Sequence, residues 1–133
     1  MTRRSLLEGA GLLLIASAVR AQSGAGAARP VFEHDLPDLA LKGWAVTAVE
    51  VSYAPGQASA AHRHPGITIA YVLQGEIVSK VDDGPERTYK TGEMFLETPN
   101  QLHAVSRNAS STQPAKLLAV MLLEKGKPRT NPA

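Results

Sequence analysis

Apolar and polar residues alternate with a period of two along several short stretches of the chain, a pattern typical of half-buried β-strands. Trp44–Tyr53 alternates in this way, and Ile67–Leu73 is a continuous apolar run bounded by Gly66 and Gly75. Further strands are predicted at Glu76–Val81, Arg87–Thr91, Met94–Glu97, His103–Arg107 and Lys116–Leu123. Many short strands separated by Gly and Pro turns predict an all-β domain, a sandwich or a barrel.

The first 21 residues follow a different pattern. A pair of arginines in Thr2–Leu7 precedes a short apolar stretch, and Val19 and Ala21 suit a cleavage site before Gln22. This arrangement predicts a signal peptide over 1–21 that is too short and too interrupted to span a bilayer. Thr2–Leu7 resembles the twin-arginine export signal, and a general secretory signal is the alternative. We therefore expect a periplasmic or secreted protein that is not inserted in a membrane after the signal is removed.

The remaining chain is long enough for one domain. Residues 22–30 are rich in Gly, Ala and Ser, which predicts a flexible linker. Residues 31–124 contain the predicted strands and form the expected barrel domain. Residues 125–133 contain Pro128 and Pro132 and are predicted to be a flexible tail.

Charge and cysteine content exclude several classes of function. The formal net charge is +2, but without residues 1–21 the chain has 11 basic and 11 acidic side chains. A nucleic-acid partner is not expected, because no basic surplus remains to neutralise phosphates. The chain has no cysteine, which excludes disulfides, thiolate nucleophiles and thiolate-held metal clusters. Imidazole and carboxylate are therefore the strong metal ligands available.

Three of the four histidines have a spacing that suits metal binding. His62 and His64 are two residues apart, so both side chains project from one face of an extended segment. His103 begins another predicted strand, and a facing strand could supply it as a third ligand. Neutral imidazole binds divalent transition metals, here Fe, Mn, Ni, Cu or Zn. The alternative is an exposed His-X-His pair on a loop, and His34 is predicted to be structural or at the surface.

The residues around these histidines resemble the two sequence motifs of the cupin superfamily. Gly56, His62, His64 and Gly75 match the first motif in register, and the interval from Gly92 to His103 matches the second. The resemblance covers roughly residues 45–124. It implies a small single-domain cupin, whose fold is a double-stranded β-helix, or jelly roll.

One position departs from the family pattern. The glutamate ligand of the family falls on Thr68, or on Ile69 with the longer motif spacing, and neither is a carboxylate. Three histidines without that glutamate are therefore expected, with Thr68 and Glu97 as weaker candidates for the site. Glu97 is near His103 in sequence, and Glu76 is a further glutamate that could reach the site. Both glutamates are predicted instead to be solvated charges on turns.

The resemblance implies a metal cavity without specifying a reaction. A three-histidine site leaves coordination positions open, which favours a metal-dependent oxygenase or related enzyme acting on a small anionic organic substrate. Two alternatives stay open: a non-catalytic metal- or small-ligand-binding cupin, and a metal-free sugar-modifying isomerase or epimerase. The sequence assigns no catalytic base. Small cupins often pair their sheets, so the resemblance also implies a homodimer.

Overall fold

The computed structural model describes residues 26–133, and the signal peptide predicted over 1–21 lies outside them. The chain divides into two units, of which the first ends at Pro30 and the second is Val31–Ala133. Within the first unit, residues 26–30 are exposed and have no regular secondary structure. All of the strands lie in the second unit.

The second unit is built entirely from β-strands, loops and turns. The strands are β1 (Trp44–Tyr53), β2 (Ala58–Ser59), β3 (His62–Arg63), β4 (Ile67–Gln74), β5 (Glu76–Val81), β6 (Arg87–Lys90), β7 (Met94–Glu97), β8 (Leu102–Asn108), β9 (Ala115–Glu124) and β10 (Asn131–Pro132). The seven longest strands match the seven runs predicted from periodicity to within a residue or two at their ends. No helix among residues 26–133 has the length and apolarity needed to cross a membrane.

Antiparallel pairing joins these strands into two sheets. One sheet has the order β1-β9-β4-β7, and the other has the order β10-β3-β8-β5-β6, with β2 also paired to β8. The chain crosses between the sheets several times, so strands that are neighbours in space are often distant in sequence. A turn that contains Asp83 and Gly84 joins β5 to β6, and the Gly84 amide donates to the Val81 carbonyl.

The core lies where the two sheets face each other. Every second residue of β9 is buried, from Ala115 to Leu123, although nearly the whole strand is apolar. The core cluster consists of Tyr53, Ala70, Val72, Ile77, Phe95, Ala115, Leu117, Ala119, Met121 and Leu123. Thr68 and Glu97 lie on the same inward faces of β4 and β7, so the apolar core ends at a polar group of residues.

The C-terminal segment differs from the flexible tail predicted over 125–133. Asn131–Pro132 form strand β10, which pairs with Arg63 and His62 of β3. Proline lacks an amide proton but is tolerated at a sheet edge, and β10 is an edge strand. Local composition could not reveal this pairing, because the partner strand lies about seventy residues earlier in the sequence.

Candidate metal centre

Three neighbouring parts of the fold bring four potential ligands together. His62 lies on β3 directly opposite His103 on β8, and His64 follows β3 by one residue. Glu97 is the last residue of β7 in the facing sheet. One ligand atom from each of the four residues lies within 4.8 Å of the ligand atoms of the others. The cluster could therefore hold one metal ion.

Hydrogen bonds orient the three imidazole rings. The Nδ1 atoms of His62 and His64 lie 2.7 and 2.6 Å from the carbonyl oxygens of Ala60 and Arg129. A carbonyl only accepts, so each Nδ1 carries a proton and each neutral ring keeps a free lone pair on Nε2. His103 differs, because its Nε2 is 2.8 Å from Ser79 Oγ and its Nδ1 faces Glu97.

Glu97 is a carboxylate buried among histidines. It is 2% exposed, with Oε1 3.2 Å from His103 Nδ1 and Oε2 3.8 Å from His64 Nε2. The shorter contact is not aligned as a hydrogen bond, so Oε1 is buried without a hydrogen-bond partner. Among residues 26–133, no Lys or Arg forms an ion pair with Glu97. A buried carboxylate with these contacts favours a cation between the ligands.

Thr68 lies directly opposite Glu97 in the register of β4 and β7. The carboxylate thus comes from β7, one strand away from the position at which the sequence resemblance places it. Thr68 Oγ1 is also buried without a hydrogen-bond partner. Two such orphaned oxygen atoms beside three imidazoles fit a bound metal ion and its water, because buried polar atoms are otherwise almost always paired.

Burial lowers the pKa of His62 below its ordinary value of 6.5. The neighbouring His103 and His64 lower this pKa further, while the hydrogen bond to Ala60 and the charge of Glu97 act in the opposite direction. The ring is therefore held in its neutral form at neutral pH, the form that can bind a metal.

The structure brings together four of the five residues named as metal ligands or weaker candidates, and places the fifth, Thr68, beside them. The prediction that Glu97 is a solvated charge is wrong, because Glu97 is the last residue of β7 and its side chain is buried. Glu76 is exposed at the start of β5. His34 is exposed, with its ring bonded to the carbonyl of Asp35.

A cavity of about 760 Å³ adjoins the cluster and is lined by His62, Glu97, His103 and Thr68. Its other walls are mostly apolar, with a second polar group where Tyr53 OH lies 2.8 Å from both Ser59 Oγ and Ser106 Oγ. The sequence pattern does not predict this group of hydroxyls, because single Ser and Tyr residues in strands have no characteristic spacing. No Lys, Arg or Asp is among the described residues that line this cavity.

A family model described as the cupin domain matches residues 49–121, which is more than half of the chain. The match includes both histidine motifs and Glu97. Among curated protein sequences, none matches this chain.

The fold is similar to that of several solved structures. An uncharacterized Klebsiella pneumoniae protein with a double-stranded β-helix domain is 24% identical, with TM-score 0.53 over 62% of this chain and 70% of its own. A predicted oxalate decarboxylase from Thermotoga maritima is 26% identical, with TM-score 0.51 over 57% and 64%. A DMSP lyase from Ruegeria pomeroyi is 19% identical, with TM-score 0.59 over 66% and 43%. The predicted double-stranded β-helix is confirmed, and this chain spans less than two thirds of the decarboxylase and of the lyase.

Proposed function

Because this chain belongs to the cupin domain family, we propose that it is an enzyme that binds one divalent transition metal through His62, His64, His103 and Glu97. The substrate class that we propose is a small anionic organic molecule. The observation that carries the proposal is the convergence of three imidazoles on a buried carboxylate at the wall of a cavity.

The donor set suits a catalytic metal better than a purely structural one. Three neutral imidazoles and one carboxylate leave a divalent ion with a residual positive charge, which attracts an anionic oxygen. The cavity lies on one side of the cluster, so ligand positions on that side stay accessible. When bound, the ion supplies Lewis-acid stabilisation of negative charge or, if redox-active, one-electron chemistry.

The chain's own residues orient the ligands and limit water. Ser79 and the Arg129 carbonyl hold the rings of His103 and His64, and such outer contacts fix ring orientation. Phe95 packs edge-on against His103, with ring centroids 5.8 Å apart, and shields that ring. His64, His103 and Glu97 are all buried, and burial strengthens the electrostatic interactions among them.

Reaction type is tested by turnover with defined metals. The full chain is reconstituted separately with Fe²⁺, Mn²⁺, Ni²⁺, Cu²⁺ and Zn²⁺, and oxygen uptake is followed with diketones, flavonols and thiols. We expect metal-dependent turnover in the wild type and in His34→Ala, and none in His62→Ala. Tight metal binding without turnover of the panel would favour a binding protein. Activity that survives chelation would favour a metal-free isomerase or epimerase.

We also propose that the protein is exported to the periplasm. The arginine pair in Thr2–Leu7, the short apolar stretch after it, and Val19 and Ala21 before Gln22 support this proposal. The test is fractionation of cells expressing the full chain with Arg3→Lys and Arg4→Lys together. The double variant should accumulate in the cytoplasm if the twin-arginine route is used, whereas unchanged export would favour the general secretory route.

A further inference from the structure

We propose that the cavity selects a monoanionic molecule whose end farther from the metal centre carries a neutral hydroxyl or carbonyl group. This inference rests on the proposed metal site and defines its substrate class more narrowly. The group that recognises the neutral end is the hydroxyl cluster, formed by Tyr53, Ser59 and Ser106.

The hydroxyl cluster has unused hydrogen-bonding capacity. Tyr53 OH forms one hydrogen bond to each serine, so two bonds join three hydroxyl groups. Each hydroxyl carries one proton and can also accept. The two internal bonds use two of the three protons, which leaves one proton and several lone pairs for a ligand. All three residues line the cavity, so this capacity is available there.

The hydroxyl cluster and the metal centre lie at successive inward positions of the sheet that contains β8. Ser59 pairs with Ser106, and His62 pairs with His103. A β-bulge in β8 lets His103 and Ser106, three residues apart, face the same side, and the interval between them matches only two residues of β5, from Ser79 to Val81. Two residues of a strand span about 7 Å. A ligand that reaches both groups is therefore small, a short chain or one six-membered ring, which the cavity of about 760 Å³ can hold.

Much of the remaining cavity wall is apolar. It includes Ala70, Phe95, Leu117 and Ala119 on the inward face of the four-stranded sheet. No cationic side chain is among the described lining residues, so a second carboxylate at the far end would be desolvated without an opposite charge. A neutral hydroxyl or carbonyl meets the hydroxyl cluster without that penalty. The geometry therefore disfavours ligands with a negative charge at both ends.

The test compares three probes that share one ring. The full chain is loaded with Co²⁺, its metal content is measured, and calorimetry follows the binding of benzoate, 4-hydroxybenzoate and terephthalate. We expect 4-hydroxybenzoate to bind about tenfold more tightly than benzoate, the equivalent of one hydrogen bond. Terephthalate should bind more weakly than benzoate. Tyr53→Phe should remove the preference for 4-hydroxybenzoate, and Tyr71→Phe, which removes a hydroxyl outside this cavity, should not.

The outcomes separate this inference from the proposed function. Failure of the wild type to bind Co²⁺ would overturn the metal site itself. Three results obtained with stoichiometric Co²⁺ would overturn the inference and leave the metal site standing. They are equal affinity for benzoate and 4-hydroxybenzoate, tighter binding of terephthalate than of benzoate, and no binding of any probe. If Tyr53→Phe does not fold, Ser59→Ala tests the same cluster from a partly exposed position, and an unchanged preference in it counts against the proposal.

Discussion

Glu97 and Thr68 together decide what kind of site the cavity wall contains. They are directly opposite each other on β7 and β4, and both side chains point inward. A carboxylate at either position would approach the same three imidazoles from nearly the same direction. We therefore interpret Glu97 as supplying, from the neighbouring strand, the negative charge that Thr68 does not provide.

Exchanging the two residues tests this interpretation. Glu97→Thr should weaken metal binding by more than the 10- to 100-fold effect typical of outer contacts, because it removes a ligand and its charge. Thr68→Glu combined with Glu97→Thr should recover affinity to within about tenfold of the wild type. The measurement is a competition titration with a chelating metal indicator.

Circular dichroism of each variant is the control for folding, since both positions are buried. Wild-type affinity in Glu97→Thr would show that Glu97 is not a ligand. A folded double variant that binds no better than the single variant would show that the two positions are not equivalent.

Sequence reasoning could identify the histidines but not the carboxylate. His62 and His64 are two residues apart in one extended segment, so their common face is predicted by the period of two alone. Glu97 reaches them only through the register between β7 and β4, which joins residues far apart in the chain. A glutamate that ends a short strand before Thr98 and Pro99 has the local pattern of a turn residue, and only strand pairing shows that it is buried.

At the scale of elements, the short strand β10 belongs to the site. It pairs with β3, which carries His62, and the preceding Arg129 carbonyl accepts the proton of His64 Nδ1. Thr130, Asn131 and Pro132 also line the cavity. The segment thus fixes one ligand ring and forms part of the cavity wall.

Removal of residues 128–133 should weaken metal binding about 10- to 100-fold, because the outer contact that orients His64 is lost. The fold should be retained, since the core cluster contains no residue of this segment. Metal affinity by titration and secondary structure by circular dichroism are the two measurements. Deletion of Ala133 alone is the matched control. If the variant without residues 128–133 binds metal with wild-type affinity, β10 does not contribute to the metal site.

Strand length explains which elements could be predicted. The seven longer strands contain four or more residues, enough for alternation or a bounded apolar run to be visible. Three strands, β2, β3 and β10, contain only two residues each. They are defined by hydrogen bonds to partner strands and not by a pattern in their own sequence. Residue type is more informative at the turn before β8, because Asn100 adopts the left-handed conformation with φ of 63°, which asparagine tolerates better than most residues.

At the scale of the whole molecule, part of the outer face of the four-stranded sheet is apolar, beside the ion pair of Lys116 and Glu50. Val46 on β1 is 67% exposed, and the outward residues of β9 are partly exposed. One row across all four strands contains Ala48, Val120, Ile69 and Leu96. We propose that a second copy of the chain covers this face, in keeping with the homodimer that the family resemblance implies.

The wild-type chain should sediment as a dimer at micromolar concentration. Val46→Lys should shift it to a monomer, because a lysine on each copy would place unpaired charges within the apolar interface. Thr88→Lys, which adds the same charge to an exposed position on the other sheet, should leave the dimer intact. A wild-type monomer, or a Val46→Lys dimer, would exclude this interface.

The proposed metal site is tested most directly by the metal content of the purified full chain, measured for first-row transition metals by mass spectrometry. We expect about one equivalent in the wild type and in His34→Ala, whose histidine is exposed and outside the cluster. We expect that equivalent to be lost in His64→Ala. Full metal content in His64→Ala, or no metal in the wild type after reconstitution, would contradict the proposed site.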